Sequence, residues 1–253
     1  TVKAHEKRFH IEKGMSVLMI CAQFCNNVCM RLLIEQRADL NFRDSLGCTA
    51  LHRAGIGDNS EGLQILLEAG CNPYRLDTFG NNALVPSCSW GSVHSIRTLI
   101  AHVPDIDIGA ALHFAVFGEG APEETIPELL LAGVDINAPM PLSRKMRLQF
   151  RLLARVAKWL DRRHGTHLFF FLTNVIGATP LIISLLSRSF HAAAILISAG
   201  CDVTLSNAAG RTAMDVAGLV FAPSFIIQGL NGYPEECDKH VRSSIAEKIW
   251  VSI

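Results

Sequence analysis

A chain of 253 residues that is 49% hydrophobic and 18% charged can bury a sizeable core and is not a disordered tail. Its 23 basic and 23 acidic residues cancel, so no global field draws it to nucleic acid or to a membrane surface. The longest apolar stretch, Leu168 to Leu172, falls far short of the roughly 20 residues of a bilayer span, which argues against a transmembrane helix.

No basic-then-apolar leader opens the chain and no Asn-x-Ser/Thr acceptor occurs in it, which leads to the expectation of an intracellular, cytoplasmic setting. The eight cysteines lack the spacing of a disulfide framework or a metal site. Cys21, Cys25 and Cys29 stand four apart, as stacked helical ligands would, but no nearby His or Cys supplies a fourth ligand. They read as small buried residues of a reducing compartment, and no metal or other cofactor is expected.

Taken in chain order, the elements repeat. Gly14, Gly47 and Gly80 lie 33 residues apart, and so do Gly177 and Gly210. A helix start follows each glycine: Ser16-Val17-Leu18, Thr49-Ala50-Leu51, Asn82-Ala83-Leu84, Thr179-Pro180-Leu181 and Thr212-Ala213-Met214. A polar cap, a first-turn residue and an apolar anchor make that pattern. Further along each unit comes a second apolar run, among them Ile65 to Gly70, Leu129 to Gly133 and Ile195 to Gly200, whose closing glycine suits a left-handed helix C-terminus. Each unit is thus a pair of short antiparallel helices joined to the next by a polar hairpin.

Gly47-x-Thr49-Ala50-Leu51-His52-x-Ala54 with Leu66-Leu67-x-Ala69-Gly70-Cys71-Asn72 resembles one ankyrin repeat. Gly177-x-Thr179-Pro180-Leu181 with Leu196-Ile197-x-Ala199-Gly200-Cys201-Asp202-Val203 resembles another. The resemblance implies an all-α solenoid of helix-turn-helix repeats with short β-hairpin fingers, whose stacked pairs share one continuous core. It also implies a histidine, here His52 or His113, that bonds backbone between neighbouring units.

The repeats are not uniform. The fourth begins with Leu112 only 28 residues after Leu84, with the deficit between Asp107 and Leu112, so its finger should be clipped. Pro86, Pro122 and Pro127 fall in expected helices and should make the third and fourth units irregular. Residues 1–137 are read as repeats one to four, 138–174 as an insert, 175–230 as repeats five and six, the last one capping, and 231–253 as a C-terminal helix with Ile245, Ile249 and Trp250 as its buried stripe.

Between Ser143 and His164 the insert holds eight Lys/Arg residues and one acid. Arg144, Arg147, Arg151, Arg155, Lys158 and Arg162 recur at three or four, and Met146, Phe150, Leu153 and Trp159 fall opposite, the pattern of a basic amphipathic helix. Calmodulin, an acidic partner or an anionic membrane surface would suit it, and the plainer reading is an extra helix packed on the solenoid with its arginines in water. Leu168 to Leu172 is expected to be a buried strand or helix.

Phosphate-loop, nucleophile-elbow and zinc-protease motifs are missing, and no enzyme is expected. The expected function is a scaffold that binds a partner protein through the concave face of the stack, acting as a monomer or as a regulatory or targeting module of a larger protein. The family's variable positions fall on Met15, Gln23 and Phe24, then on Ser45, Leu46, Cys48 and Ile56, then on Thr78, Phe79, Asn81, Ser89 and Trp90, with Tyr74 and Arg75 beside them. Phe79 and Trp90 are the aromatic anchors of that set.

Overall fold

The computed structural model describes residues 11–117, 122–142, 152 and 167–251. The basic face of the insert, Arg144, Arg147, Arg151, Arg155, Lys158, Trp159 and Arg162, lies outside them. The chain forms two compact units, Thr1–Val134 and Asp135–Ile253. Among the described residues there are 14 helices and no strand, and the only β pairing is an isolated bridge between Ser206 and Thr212.

In the first unit four helix pairs follow one another: α1 (Val17–Gln23) with α2 (Asn27–Glu35), α3 (Ala50–Ile56) with α4 (Ser60–Glu68), α5 (Leu84–Trp90) with α6 (Val93–His102), and α7 (Ala111–Phe117) with α8 (Pro122–Leu131). First helices pack on first helices and second on second, so each pair covers the next. Leu51, Leu63, Leu66, Leu84, Ile96, Leu99, Leu112 and Leu129 form the buried spine.

Helix starts follow the caps. The Ser16 hydroxyl accepts the Met19 N–H at 3.3 Å, and the Thr49 N–H donates to His52 Nδ1 at 3.2 Å. The third pair departs from this. Asn82 Oδ1 accepts the Leu84 N–H at 3.0 Å while its Nδ2 donates to the Asp107 carbonyl at 2.7 Å, so one amide serves both as cap and as tie to the next finger. Pro86 sits in the first turn of α5 and Pro122 opens α8, where a missing N–H costs little, whereas Pro127 lies inside α8. The fourth finger is short: Ala111, the first residue of α7, already donates to the Ile108 carbonyl at 3.0 Å, one residue past Asp107 at the finger base.

A second 33-residue rhythm lies between the helices of five pairs. Cys25, Asp58, Gly91, Arg188 and Phe221 all take positive φ, between 56° and 65°. Four of the five are not glycine, so the left-handed step is imposed by the packing of the helices on either side rather than by local preference.

The second unit runs α9 (His167–Asn174), α10 (Pro180–Leu186), α11 (Phe190–Ser198), α12 (Ala213–Val220), α13 (Ser224–Leu230) and α14 (Pro234–Val251). The run Leu168 to Leu172 is helix, within α9. α14 packs against both α11 and α13, and Cys237 on it is fully buried. Asn137 Oδ1 accepts the Asp202 N–H at 2.8 Å, the role Asn41 plays toward the Asn72 N–H at 3.4 Å. Met140 N–H donates to the Ala178 carbonyl at 2.8 Å. Residues 137–140 therefore occupy hairpin positions beside the finger that follows α9, and the insert leaves and rejoins the chain within a hairpin rather than within a helix.

Candidate functional site: the fingers of the first unit

Each finger is a turn locked by the side chain at its base. Asp77 Oδ1 accepts the N–H groups of Phe79 and Asn81 at 2.8 and 2.9 Å, and the Asp77 N–H donates to the Asn81 carbonyl at 2.8 Å. Asp44 does the same for Leu46 and Cys48 at 2.9 and 3.0 Å. With the carboxylate taking the amides that a partner strand would take, these fingers are closed turns rather than strand pairs. Gly47 and Gly80 turn the tips at φ 74° and 85°, where a side chain is strained.

Neighbouring fingers are tied in register. The Ser45 N–H donates to the Lys13 carbonyl at 3.2 Å and the Thr78 N–H to the Leu46 carbonyl at 2.9 Å, joined there by the Thr78 hydroxyl at 2.8 Å. Arg43 spans the gap, with Nε on the Gly47 carbonyl at 3.0 Å and Nη2 on the Leu76 carbonyl at 2.7 Å.

Beneath the tips sits a buried ion pair. Arg53 on α3 gives Nε to Asp44 Oδ2 at 2.8 Å and Nη2 to the same oxygen, and both side chains are shielded from water. His52 links this repeat to the next. Its Nδ1 accepts from the Thr49 N–H, so the ring proton sits on Nε2 and is donated to the Asn81 carbonyl at 3.2 Å. Burial holds the His52 pKa below its usual value, which keeps the ring neutral in this role.

The outer helices are stitched similarly. Asn59 Nδ2 reaches the Ala22 carbonyl at 2.9 Å, and Asp58 Oδ1 accepts the Ser95 N–H at 2.9 Å. Arg31 pairs with Glu61 and Arg97 with Glu128 on the water-exposed side.

On this frame the expected binding residues divide. Ser45, Thr78, Phe79, Tyr74 and Arg75 are exposed, and Leu46 and Asn81 are half-buried at the tips. Ile56 is buried, as are Cys48 and Gln23, so these three belong to the core. Gln23 and Ile56 are the last residues of α1 and α3 and are enclosed within the stack, and Cys48 is enclosed at the base of its finger, which makes Ile56 unavailable as a surface anchor. Met15 and Ser89 are half-buried. Trp90 ends α5 and is half-buried, while Phe24, in the same register just past α1, is exposed beside a shallow depression with Asn27, Arg31 and Glu61. Sequence reasoning missed Phe42 and Leu76, both exposed apolar side chains on the same fingers. Their signal was available, since an apolar residue in a polar hairpin has no core to enter.

Of the cysteines, Cys25 is exposed and Cys29 half-buried, while the buried thiols carry no reactive signature. Burial pushes Cys48 and Cys201 up to about 12 and Cys71 and Cys237 to about 11, which keeps them protonated. Among the described residues no three His, Cys, Asp or Glu side chains group as metal ligands, and no helix is long and apolar enough to cross a membrane.

Comparison with known proteins agrees with this architecture. Residues 2–77 match the family model for ankyrin repeats in three copies. NF-kappa-B inhibitor alpha of Gallus gallus is 31% identical over 146 residues, which cover 54% of this chain and 43% of that protein. The chain spans less than half the length of the curated relatives it matches. Among solved structures, a chain in the complex of a predatory endopeptidase from Bdellovibrio bacteriovorus with an immunity protein superposes with a TM-score of 0.59 at 19% identity, covering 87% of this chain and 100% of that one. An ankyrin repeat domain from Acinetobacter baumannii superposes with a TM-score of 0.56 at 20% identity, covering 84% and 95%. The periodic caps, the His52 bridge and these matches lead to one conclusion: residues 2–77 carry ankyrin repeats, and the fold is that of an ankyrin repeat domain.

Proposed function

We propose that the chain is a non-catalytic protein-binding module that takes its partner on the second and third fingers of the first unit. Ankyrin repeats are protein–protein interaction modules, and the fold is in general a binding scaffold without chemistry of its own. The observation that carries the finer reading is the set Tyr74, Leu76 and Phe79: apolar side chains exposed on a finger whose tip amides are held by Asp77 and whose backbone is tied to the finger before it. A partner landing there meets exposed aromatics on a turn already ordered, so little further ordering opposes binding. The relatives support this reading. One bears the name of an inhibitor of another protein, and another is a chain in a complex of an endopeptidase with its immunity protein.

Affinity capture tests it. A Tyr74→Ala/Phe79→Ala variant with an unchanged urea midpoint should lose partner binding by about tenfold or more. Partners retained equally by the parent and the variant would refute the finger site. A second reading, an acidic or calmodulin-type partner at the insert, rests on the eight basic residues and one acid between Ser143 and His164. A peptide of that span should change Trp159 fluorescence with calmodulin only when calcium is present.

A further inference from the structure

In the first helix pair one residue ties the end of α1 to the start of α2. The Asn26 N–H donates to the Cys21 carbonyl at 2.9 Å, and Asn26 Oδ1 accepts the Cys29 N–H at 3.2 Å. Asn59 repeats this in the second pair, at 3.0 and 2.8 Å, with Ala54 and Gly62 in place of the cysteines. In the third pair the Ser92 N–H donates to the Ser87 carbonyl at 2.9 Å, and Ser95 stands where Cys29 does. The same two positions thus flank the junction residue each time, and in the later pairs they hold small side chains, all four buried.

The first pair places a thiol at each position, and the Cys21 and Cys29 thiols are in hydrogen-bond contact. Cys21 is buried and Cys29 half-buried, so water reaches Cys29 and Cys21 lies behind it. Cys25, exposed and midway between them in sequence, is directed elsewhere, its Sγ donating to the Gly57 carbonyl of the second pair at 3.6 Å. Among the described residues no third His, Cys, Asp or Glu joins the two thiols as a metal ligand, so their contact suits thiol–disulfide exchange instead.

We propose that Cys21 and Cys29 are a redox-active pair that a small-molecule disulfide, RSSR, oxidises to an intramolecular disulfide joining α1 to α2 and stiffening the turn between them. Cys29 gives its proton to water and its thiolate attacks one sulfur of RSSR; that S–S bond breaks, and the departing RS⁻ takes up a proton as RSH. Cys21 then loses its proton and attacks Cys29 Sγ in the mixed disulfide, expelling the second RSH. Two protein thiols lose two protons and two electrons, and one RSSR becomes two RSH. Burial, and after it the adjacent Cys29, raise the Cys21 pKa, so Cys21 is inert by itself and acts only on a disulfide formed beside it. The closed turn carries the exposed Phe24. The pair does not involve the fingertips, so this site and the proposed binding site stand or fall separately.

The test treats the folded, reduced 253-residue chain carrying Cys25→Ser, which removes the exposed thiol, with oxidised glutathione, and maps it by mass spectrometry without reduction. The expected product is about 2 Da lighter, with one peptide linking Cys21 to Cys29 and the other cysteines free. Amide exchange in the turn between α1 and α2 should slow by about threefold or more, and dithiothreitol should reverse it. Adding Cys21→Ser should stop the reaction at a glutathione adduct on Cys29, and adding Cys29→Ser should leave Cys21 unmodified. Serine is accommodated at both positions in the third pair, as Ser87 and Ser95. A Cys29 adduct that persists with Cys21 present overturns the proposal. So does a pair left unmodified, a Cys21–Cys29 link that forms only in urea, or unaltered exchange in the turn of the linked chain.

Discussion

Helices α4 and α11 both run into an Ala-Gly-Cys step, Ala69-Gly70-Cys71 and Ala199-Gly200-Cys201, yet they are buried differently. α4 hides Gly62, Leu63, Ile65 and Leu66 and leaves Glu61, Gln64 and Glu68 in water. α11 hides every residue from Ala192 to Ile197, because α14 lies over it in addition to its repeat neighbours. A helix apolar on all sides needs cover on all sides. The first unit thus holds its repeats together with polar clamps set above a one-sided core, while the second relies on wrapping an apolar helix.

The largest expected effect sharpens this contrast at equivalent finger positions, Asp44 and Asn207. Asp44→Ala leaves the Arg53 guanidinium buried without its partner and should cost about 3–5 kcal/mol. Asn207→Ala removes neutral hydrogen bonds to Ala209, Arg211 and the Asn174 carbonyl and should cost about 1–3 kcal/mol. Site-resolved hydrogen exchange in each unit measures both. Equal costs would show that the ion pair has no special role.

Acid should weaken both units through different residues. Burial lowers the pKa of His52, and burial followed by the neighbouring His240 lowers that of His191. Both rings fold neutral, so below about pH 6.5 the unfolded chain binds protons the folded chain refuses. Stability contributed by these sites is complete above that value and falls as pH drops through it. His52→Gln should flatten the pH dependence of exchange in α3 and α4 and leave α11 unchanged, and His191→Gln should do the reverse. A profile moved by neither substitution would contradict the assignment.

Smallest is the left-handed junction. Arg188→Gly should stabilise the second unit by about 1 kcal/mol by relieving a strained φ. Asp58→Gly should gain nothing, because it also removes the bond to the Ser95 N–H. Urea midpoints distinguish the two, and an equal gain would mean that the Asp58 tie is not contributing.

The periodic glycines, the hydroxyl caps and His52 were legible because each is a local requirement: a turn that needs positive φ, an orphan amide that needs an acceptor, a ring that needs two partners. What stayed hidden depends on contacts across repeats. Nothing local marks Cys25, Asp58, Arg188 or Phe221 as left-handed, since their neighbours impose it. Ile56 read as a variable surface position, yet the adjoining pair buries it. The Asp44–Arg53 pair joins two polar residues that look solvent-facing in sequence and meet only when the finger folds over α3. Exposure on the fingers was readable for Phe79, from its place beside Gly80, and missed for Phe42 and Leu76, which lie nearer the finger bases.

The finger site itself is tested most directly by photo-crosslinking. A benzophenone amino acid replacing Phe79, 63% exposed at a tip, is compared with one replacing Leu131, 84% exposed at the end of α8. Position 79 should form an adduct with a partner protein that position 131 does not. Adducts of equal yield from both positions, or from position 131 alone, would contradict binding through the fingers.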